Sequence, residues 1–350
     1  MTLTIRRLRV RPLDLALADP VETAAGVMHT TPLVLIDLET EEGVTGRSYV
    51  RTYTPLALAA TAKLIEDLAE RIVGATADPV AVESTLRTRF RLLGQQGLVT
   101  IAIAAIEMAL WDARAHAEGV PLTVLLGGTP RPIRAYASLR TMDPKRAAAE
   151  AEAAIQRGFT AVKLKLGGGD LAADLSTIRA VRAAIGEDAE LMVDYNQNLS
   201  VDDALRRVKA LDHEDLAWVE EPTRADDYEG HARIAAAADT PVQLGENWWG
   251  TNDVEKSVAT RASDYVTLDV MKLGGVSGWL RAAQIAERAG LPASSHTFPE
   301  LSVQLLALTP TCHWLEYLDH AGPILRHPVR IENGCAHPPD APGSGLDWKD

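Results

Sequence analysis

Lys163 and Lys165 stand two positions apart in the otherwise apolar run AVKLKLGGG. Along a strand that spacing sends both ammonium groups to one face, while Val162, Leu164 and Leu166 take the other. Further on, Asp194 lies in ELMVDYN, Glu220 in AWVEEP, Glu246 in PVQLGEN and Asp269 in DYVTLDV; His296 ends PASSH and Glu316 lies in HWLEYL. Successive landmarks are roughly 20 to 31 residues apart, about the length of one strand–helix unit. Each unit thus delivers an ionisable group to one level. Helix capping explains any single strand-end carboxylate, but it does not explain one such group per unit over consecutive strands.

Three carboxylates converging within a few Å cannot all stay ionised without a cation among them. Asp194, Glu220 and Glu246 therefore read as an all-oxygen site suited to a hard ion such as Mg²⁺, and the lack of His or Cys at these strand ends disfavours zinc. A lysine beside another ammonium and a dication has its charged form disfavoured, so one of Lys163 and Lys165 suits a base while the other holds an anion. His296, one strand on from Asp269, suggests a hydrogen-bonded pair in which the carboxylate orients the imidazole and favours its cation.

These side chains need a frame. Residues 3–17 and 32–50 read as strands, and 54–74, 79–93 and 98–118 show the spacing of amphipathic helices, which predicts a small α+β domain over 1–125. After Pro132, short apolar runs at 133–138, 161–166, 190–196, 217–222, 241–247, 264–270, 292–296 and 313–318 alternate with Ala-rich helical segments. That rhythm predicts a parallel βα barrel over 126–320, whose C-terminal mouth is where the charged strand ends meet. The helix before the last strand, LSVQLLALTPT, is short and ends near proline, so an irregular last unit is expected. Residues 321–350, rich in Pro and Gly, read as a tail returning over the surface.

The 350 residues carry 47% hydrophobic and 24% charged side chains and a net charge of -13, an ordinary globular composition that argues against nucleic acid or an anionic membrane as partner. No signal peptide or membrane span is expected. Cys312 and Cys335 fit neither a disulfide framework nor a zinc spacing, and point to packing roles in a reducing, cytoplasmic setting. KLGGG and KLGGVSG match no phosphate-binding loop, and no GxSxG elbow is present, which argues against a serine hydrolase.

With AVKLKLG, MVDYNQ, WVEEPT, GENWWG, DVMKLGGVSGW, SSHTFPE and HWLEYLD in place, the chain resembles the mandelate racemase subgroup of the enolase superfamily essentially from end to end. The resemblance implies a modified TIM barrel, (β/α)₇β, with an N-terminal α+β capping domain and a C-terminal segment packing back on the cap. By it Asp194, Glu220 and Glu246 would be the Mg²⁺ ligands, Lys165 one acid/base catalyst, and Lys163 the partner of the substrate carboxylate. The His296–Asp269 pair would be the base on the opposite face, and Glu316 a protonated hydrogen-bond donor to the developing enediolate. Cap segments near 20–30 and 50–54 would close the pocket, and the assembly would be a homo-oligomer.

The expected activity is removal of the proton α to a carboxylate through an enediolate, leading to racemisation or epimerisation of a 2-hydroxy acid or similar α-substituted carboxylate. Dehydration of a sugar acid or hydroxy-dicarboxylic acid is the alternative, and a carboxylate-binding protein without turnover is the alternative of another class. Val21, Tyr53, Ser138 and Asn196 are candidate substrate contacts. The pocket departs from an aryl-binding pattern: Arg51 stands where an aromatic is expected, Met28 where valine is, and Thr297 where leucine follows the histidine. A guanidinium at Arg51 suits a second carboxylate or polar group on the substrate. The role of Arg140 is open.

Overall fold

A computed structural model describes residues 1–23 and 26–349; residues 24, 25 and 350, the first two within the expected 20–30 cap segment, lie outside the described residues. The cap opens with an antiparallel meander of β1 (Ile5–Thr23), β2 (Gly26–Thr40) and β3 (Thr45–Arg51). Helices α1 (Leu58–Ala69), α2 (Pro79–Arg89), α3 (Leu98–Glu118) and the short α4 (Leu122–Leu125) follow. The β1–β2 hairpin runs longer than its sequence pattern, because Pro20 sits at a register shift between Ala16 and Val21, where no ladder N–H is required. Small residues let α3 lie close on the sheet: a Cβ at Gly46 would overlap the Ala109 carbonyl. Gly119, in the left-handed region at φ 67°, ends α3.

The second layer is β4 (Ile133–Ser138), α5 (Pro144–Gln156), β5 (Ala161–Lys165), α6 (Leu171–Ile185), β6 (Glu190–Asp194), α7 (Val201–Leu211), β7 (Val219–Glu220), α8 (Tyr228–Ala237), β8 (Val242–Leu244), α9 (Thr251–Thr260), β9 (Tyr265–Leu268), α10 (Val276–Ala289), β10 (Ala293–Ser295), α11 (Pro299–Leu306) and β11 (Leu315–Tyr317). Asp143, Asp170, Ser200 and Asp227 start α5 to α8, each side chain accepting a backbone N–H of the first turn. The strands pair in parallel in chain order from β4 to β10, and β11 pairs with β4. Closure on the other side is made by Ala293 N–H to Thr311 O at 2.8 Å and Ser295 N–H to Trp314 O at 2.9 Å. The result is a (β/α)₇β barrel. The irregular last unit is a real helix, α11, buried at every position.

Inside the barrel, Tyr136, Ala161, Met192, Trp218 and Trp314 form an apolar plug separate from the main core. Tyr136 and Trp218 meet edge to face at 5.5 Å. Whatever sits above this plug has a low-dielectric floor.

Beyond β11 the chain forms the hairpin β12 (Arg330–Glu332) and β13 (Cys335–His337), with β13 antiparallel to β4. It then lies on the cap, where Ser344 N–H and Oγ both donate to Asp112 of α3 at 2.6 Å and Trp348 Nε1 donates to Asp37 of β2 at 3.0 Å. Cap and barrel are also joined by Glu107 of α3, which accepts the Val276 and Ser277 N–H groups at the start of α10, at 2.7 and 2.8 Å. Cys312 and Cys335 are free thiols, and among the described residues no helix is long and apolar enough to cross a membrane.

Candidate active site

Strand register places the charges. Lys165, Asp194 and Glu220 are paired neighbours across β5, β6 and β7, and Ser138 of β4 pairs with Lys163. Glu246 lies just past β8, where Gly245 (φ 137°) makes the turn; a Cβ there would overlap the Thr267 carbonyl. Tyr53, Asn196, Gln197, Glu221, Thr297 and Phe298 also have positive φ, so non-glycine backbone in that sparsely populated region gathers at this mouth.

Asp194, Glu220 and Glu246 each present one carboxylate oxygen within 4.8 Å of the others, and all three are buried. Burial pushes the Glu220 carboxyl up to about 7, with the Asp194 and Glu246 charges adding to the effect and Lys163 opposing it. Three ionised carboxylates this close need a positive charge among them, and an all-oxygen donor set of this size fits Mg²⁺. Trp218 Nε1 and Gln243 Nε2 donate to Glu220 Oε2 at 3.0 and 2.9 Å, and Asn196 N–H and Nδ2 donate to Asp194 at 2.7 and 2.8 Å. These donors fix the carboxylates in orientation.

The two lysines divide. Lys163 Nζ lies 2.6 Å from Glu220, 3.0 Å from Glu316 and 3.7 Å from Asp194, over the Tyr136 ring of the plug. Burial works against its charge, but Glu220 and Glu316 outweigh it and hold the ammonium well above its ordinary pKa. Lys165 Nζ approaches Asp194 at 3.5 Å and Asn196 Oδ1 at 3.2 Å. Across the trio, His296 Nε2 is 3.4 Å from Glu246, and its Nδ1 is 2.7 Å from Asp269 Oδ2. Burial pulls the imidazole down, yet the Glu246 charge and the Asp269 hydrogen bond raise it above its usual value.

Glu316, the expected hydrogen-bond donor, lies 3.0 Å from Lys163 Nζ. Burial would raise it, but Lys163 and His296 together hold its carboxyl below the usual range, and Oε2 accepts the Thr297 N–H at 3.1 Å. The reason is that Lys163 points at Glu316.

Around these groups stand the other candidates. Ser138 and Thr297 are buried with unpartnered hydroxyls, Asn196 is engaged with Asp194 and Lys165, and Val21 is buried on β1 opposite Met28. Tyr53 OH reaches Asp269 Oδ2 at 3.4 Å, and the Arg51 guanidinium stacks on the Tyr53 ring at 4.6 Å. Arg140 borders the cap contact, its carbonyl accepting the Glu22 N–H at 2.7 Å. Sequence reasoning missed three contributors. His320 follows β11 in a loop without periodicity; Lys272, buried, donates to Asn247 Oδ1 at 2.6 Å below Tyr53; Glu22 takes Thr141 Oγ1, Met142 N–H and Arg146 at 2.6, 3.0 and 2.8 Å, joining the cap to the loop after β4. For Lys272 the DVMKLGG stretch was a signal; for His320 and Glu22 there was none.

Comparison with known proteins agrees with this geometry. Residues 5–127 match the family model for the mandelate racemase/muconate lactonizing enzyme N-terminal domain, and residues 146–350 the one described as enolase C-terminal domain-like. A 3,6-anhydro-alpha-L-galactonate cycloisomerase of Streptomyces coelicolor is 31% identical over 96% of this chain and 93% of its own length. An enolase from Bradyrhizobium, solved with magnesium and mandelic acid, superposes with a TM-score of 0.94 at 42% identity, covering 100% of this chain and 97% of that one. An L-talarate dehydratase from Polaromonas, solved with Mg and L-glucarate, gives a TM-score of 0.92 at 31% identity over 99% and 95% of the two chains. The chain is therefore a member of the mandelate racemase/muconate lactonizing enzyme family, an enzyme of the enolase superfamily, with a buried acidic trio of a size and chemistry that fit a metal ion such as the magnesium of its structural neighbours.

Proposed function

We propose that the protein racemises or epimerises a 2-hydroxy acid by moving the proton α to its carboxylate between two bases on opposite faces. The observation that carries this reading is the placement of Lys165 and His296 on either side of the acidic trio, 3.5 Å from Asp194 and 3.4 Å from Glu246. Such a proton is too weakly acidic for an amine or imidazole unaided. When bound, Mg²⁺ supplies the electrostatic stabilisation that brings it within reach.

Lys163 holds the substrate carboxylate, for which its buried ammonium and the unpartnered Ser138 hydroxyl are the nearest donors in register. Lys165 takes or returns the proton on one face. His296, oriented by Asp269, does so on the other. A substrate carboxylate competing for Lys163 raises the neighbouring Glu316, which then donates a hydrogen bond to the enediolate as it forms. The aromatic plug below keeps these charges in a low dielectric.

Loss of water, with one base removing the α proton and the other protonating a β-hydroxyl, is the second reading, favoured by the polar side chains Arg51 and Thr297 where an aryl pocket would be apolar. Incubation of candidate acids in D₂O followed by ¹H NMR decides. Deuterium at the α carbon in both enantiomers supports racemisation, a 2-keto acid supports dehydration, and neither outcome with any acid defeats the proposal. A binding protein without turnover is disfavoured by the complete set of bases and ligands. Fully exposed Leu56 and Leu92 on the cap support a homo-oligomer, and two free thiols support a cytoplasmic setting.

A further inference from the structure

The cap-side wall of the site has buried polar groups without partners. Arg51 is 4% exposed; its Nη2 meets only the Met28 sulfur at 3.3 Å, its face lies on Tyr53, and its Nε has no partner. Among the described residues no carboxylate forms an ion pair with it, although Glu246, Asp269 and Glu316 act on it from farther away. A buried guanidinium left with a thioether and a ring is costly unless an anion joins it.

His320, equally buried at 4%, has Nδ1 3.4 Å from Thr31 Oγ1 and an unpartnered Nε2. Burial, with the charges of Arg51, His296, Arg140 and Lys165, holds its imidazole well below the usual pKa, so it stands neutral among cations. In the tautomer in which Thr31 Oγ1 donates to Nδ1, the imidazole hydrogen is on Nε2 and available to an acceptor. Thr297, beside the catalytic histidine, adds a third orphan, its buried Oγ1. Tyr53 links this wall to the reacting centre, with Arg51 on its ring and Asp269 at its hydroxyl.

We propose that Arg51 and His320, with Thr297, bind a second carboxylate at the far end of the substrate, so that the substrate class is a 2-hydroxy dicarboxylic acid. The inference rests on the α-proton reading above, but its test does not use turnover. Neither Arg51 nor His320 transfers a proton here; they are specificity-determining residues.

The probe is a series of 2-hydroxy-2-methyl dicarboxylates of increasing chain length, each paired with the acid in which a methyl group replaces the far carboxylate. With no hydrogen on C2 these acids cannot exchange at that carbon, and ¹H NMR of each sample after titration shows that the acid is unchanged, so calorimetric titration of the Mg²⁺-loaded full chain reads binding. One chain length is expected to bind at least about tenfold more tightly than its monocarboxylate partner, a difference of about 1.4 kcal/mol. Arg51→Met should erase that ratio, Arg51→Lys restore part of it, and His320→Leu reduce it. A wild-type protein that prefers no dicarboxylate overturns the inference whether or not the variants fold, and so does a preference that survives Arg51→Met. Exchange of α protons in D₂O with simple 2-hydroxy acids, measured separately, shows whether the underlying α-proton reading stands when this subsite does not.

Discussion

Replacing Asp269 by asparagine separates the work of the two faces. Asp269 accepts from His296 Nδ1 at 2.7 Å, and its other oxygen accepts the Lys272 N–H at 2.8 Å, so an amide of the same shape keeps its place while losing its charge. A hydrogen bond to a charged partner contributes about 1.5–3 kcal/mol. Its loss lowers the imidazole, because the charge that favoured the cation is gone. The sign follows from the surroundings: burial depresses His296, while Glu246 and Asp269 raise it. With a divalent ion held by Asp194, Glu220 and Glu246, the Glu246 charge would be offset and Asp269 would be the main support. The pH profile governed by His296 should move to lower pH, and exchange of the enantiomer that meets His296 should fall about 10²–10⁴-fold, the usual contribution of a positioned base. Exchange of the other enantiomer, at Lys165, should fall far less. The assay is loss of the α-proton signal in D₂O for each enantiomer across pH. Equal losses for both enantiomers with an unmoved profile refute the two-face assignment.

Other perturbations test how the cap and barrel support the site. Glu22→Ala removes the contacts to Thr141, Met142 and Arg146; because they are made without substrate, thermal unfolding should show a melting temperature lower by a few degrees, from loss of about 1.5–3 kcal/mol of charged hydrogen bonding. Burial pushes Glu107 up to about 7 from 4.5, against the Ser277 hydrogen bonds. Because the folded value is the higher one, the stability this group contributes is complete below about pH 4.5 and is lost as pH rises through about 7, at most about 3 kcal/mol. Urea unfolding of Glu107→Gln from pH 4.5 to 8 should show a flatter curve than wild type; an unchanged slope contradicts the assignment.

The barrel was legible because its units repeat. One apolar run and one strand-end charge recur at similar spacing, and the structure puts Lys165, Asp194 and Glu220 side by side in register. Lengths were less legible: the runs at 217–222 and 241–247 pair only over Val219–Glu220 and Val242–Leu244, because the backbone turns out of the ladder at positive φ at Glu221 and Gly245. The helix expected from 54 starts as a 3₁₀ turn at Pro55–Ala57, capped by Thr54, before α1. The outer β1–β2 pairing, from Val21 to Thr23 against Gly26 to Met28, was hidden by Pro20 and the loss of alternation around it. Protonation of Glu316 and the position of His320 depend on which side chains meet across strands far apart in sequence. Those pairings have no local period to reveal them.

The most direct test of the central claim is a Mg²⁺ titration of chelator-treated protein, with heat of binding and α-proton exchange read on the same sample, beside a Glu220→Gln variant. Exchange should climb from background in step with one bound ion per chain, and the variant should bind Mg²⁺ weakly and remain near background. Full exchange after chelation, or undiminished binding by the variant, would contradict a cation held by Asp194, Glu220 and Glu246 as the source of the chemistry.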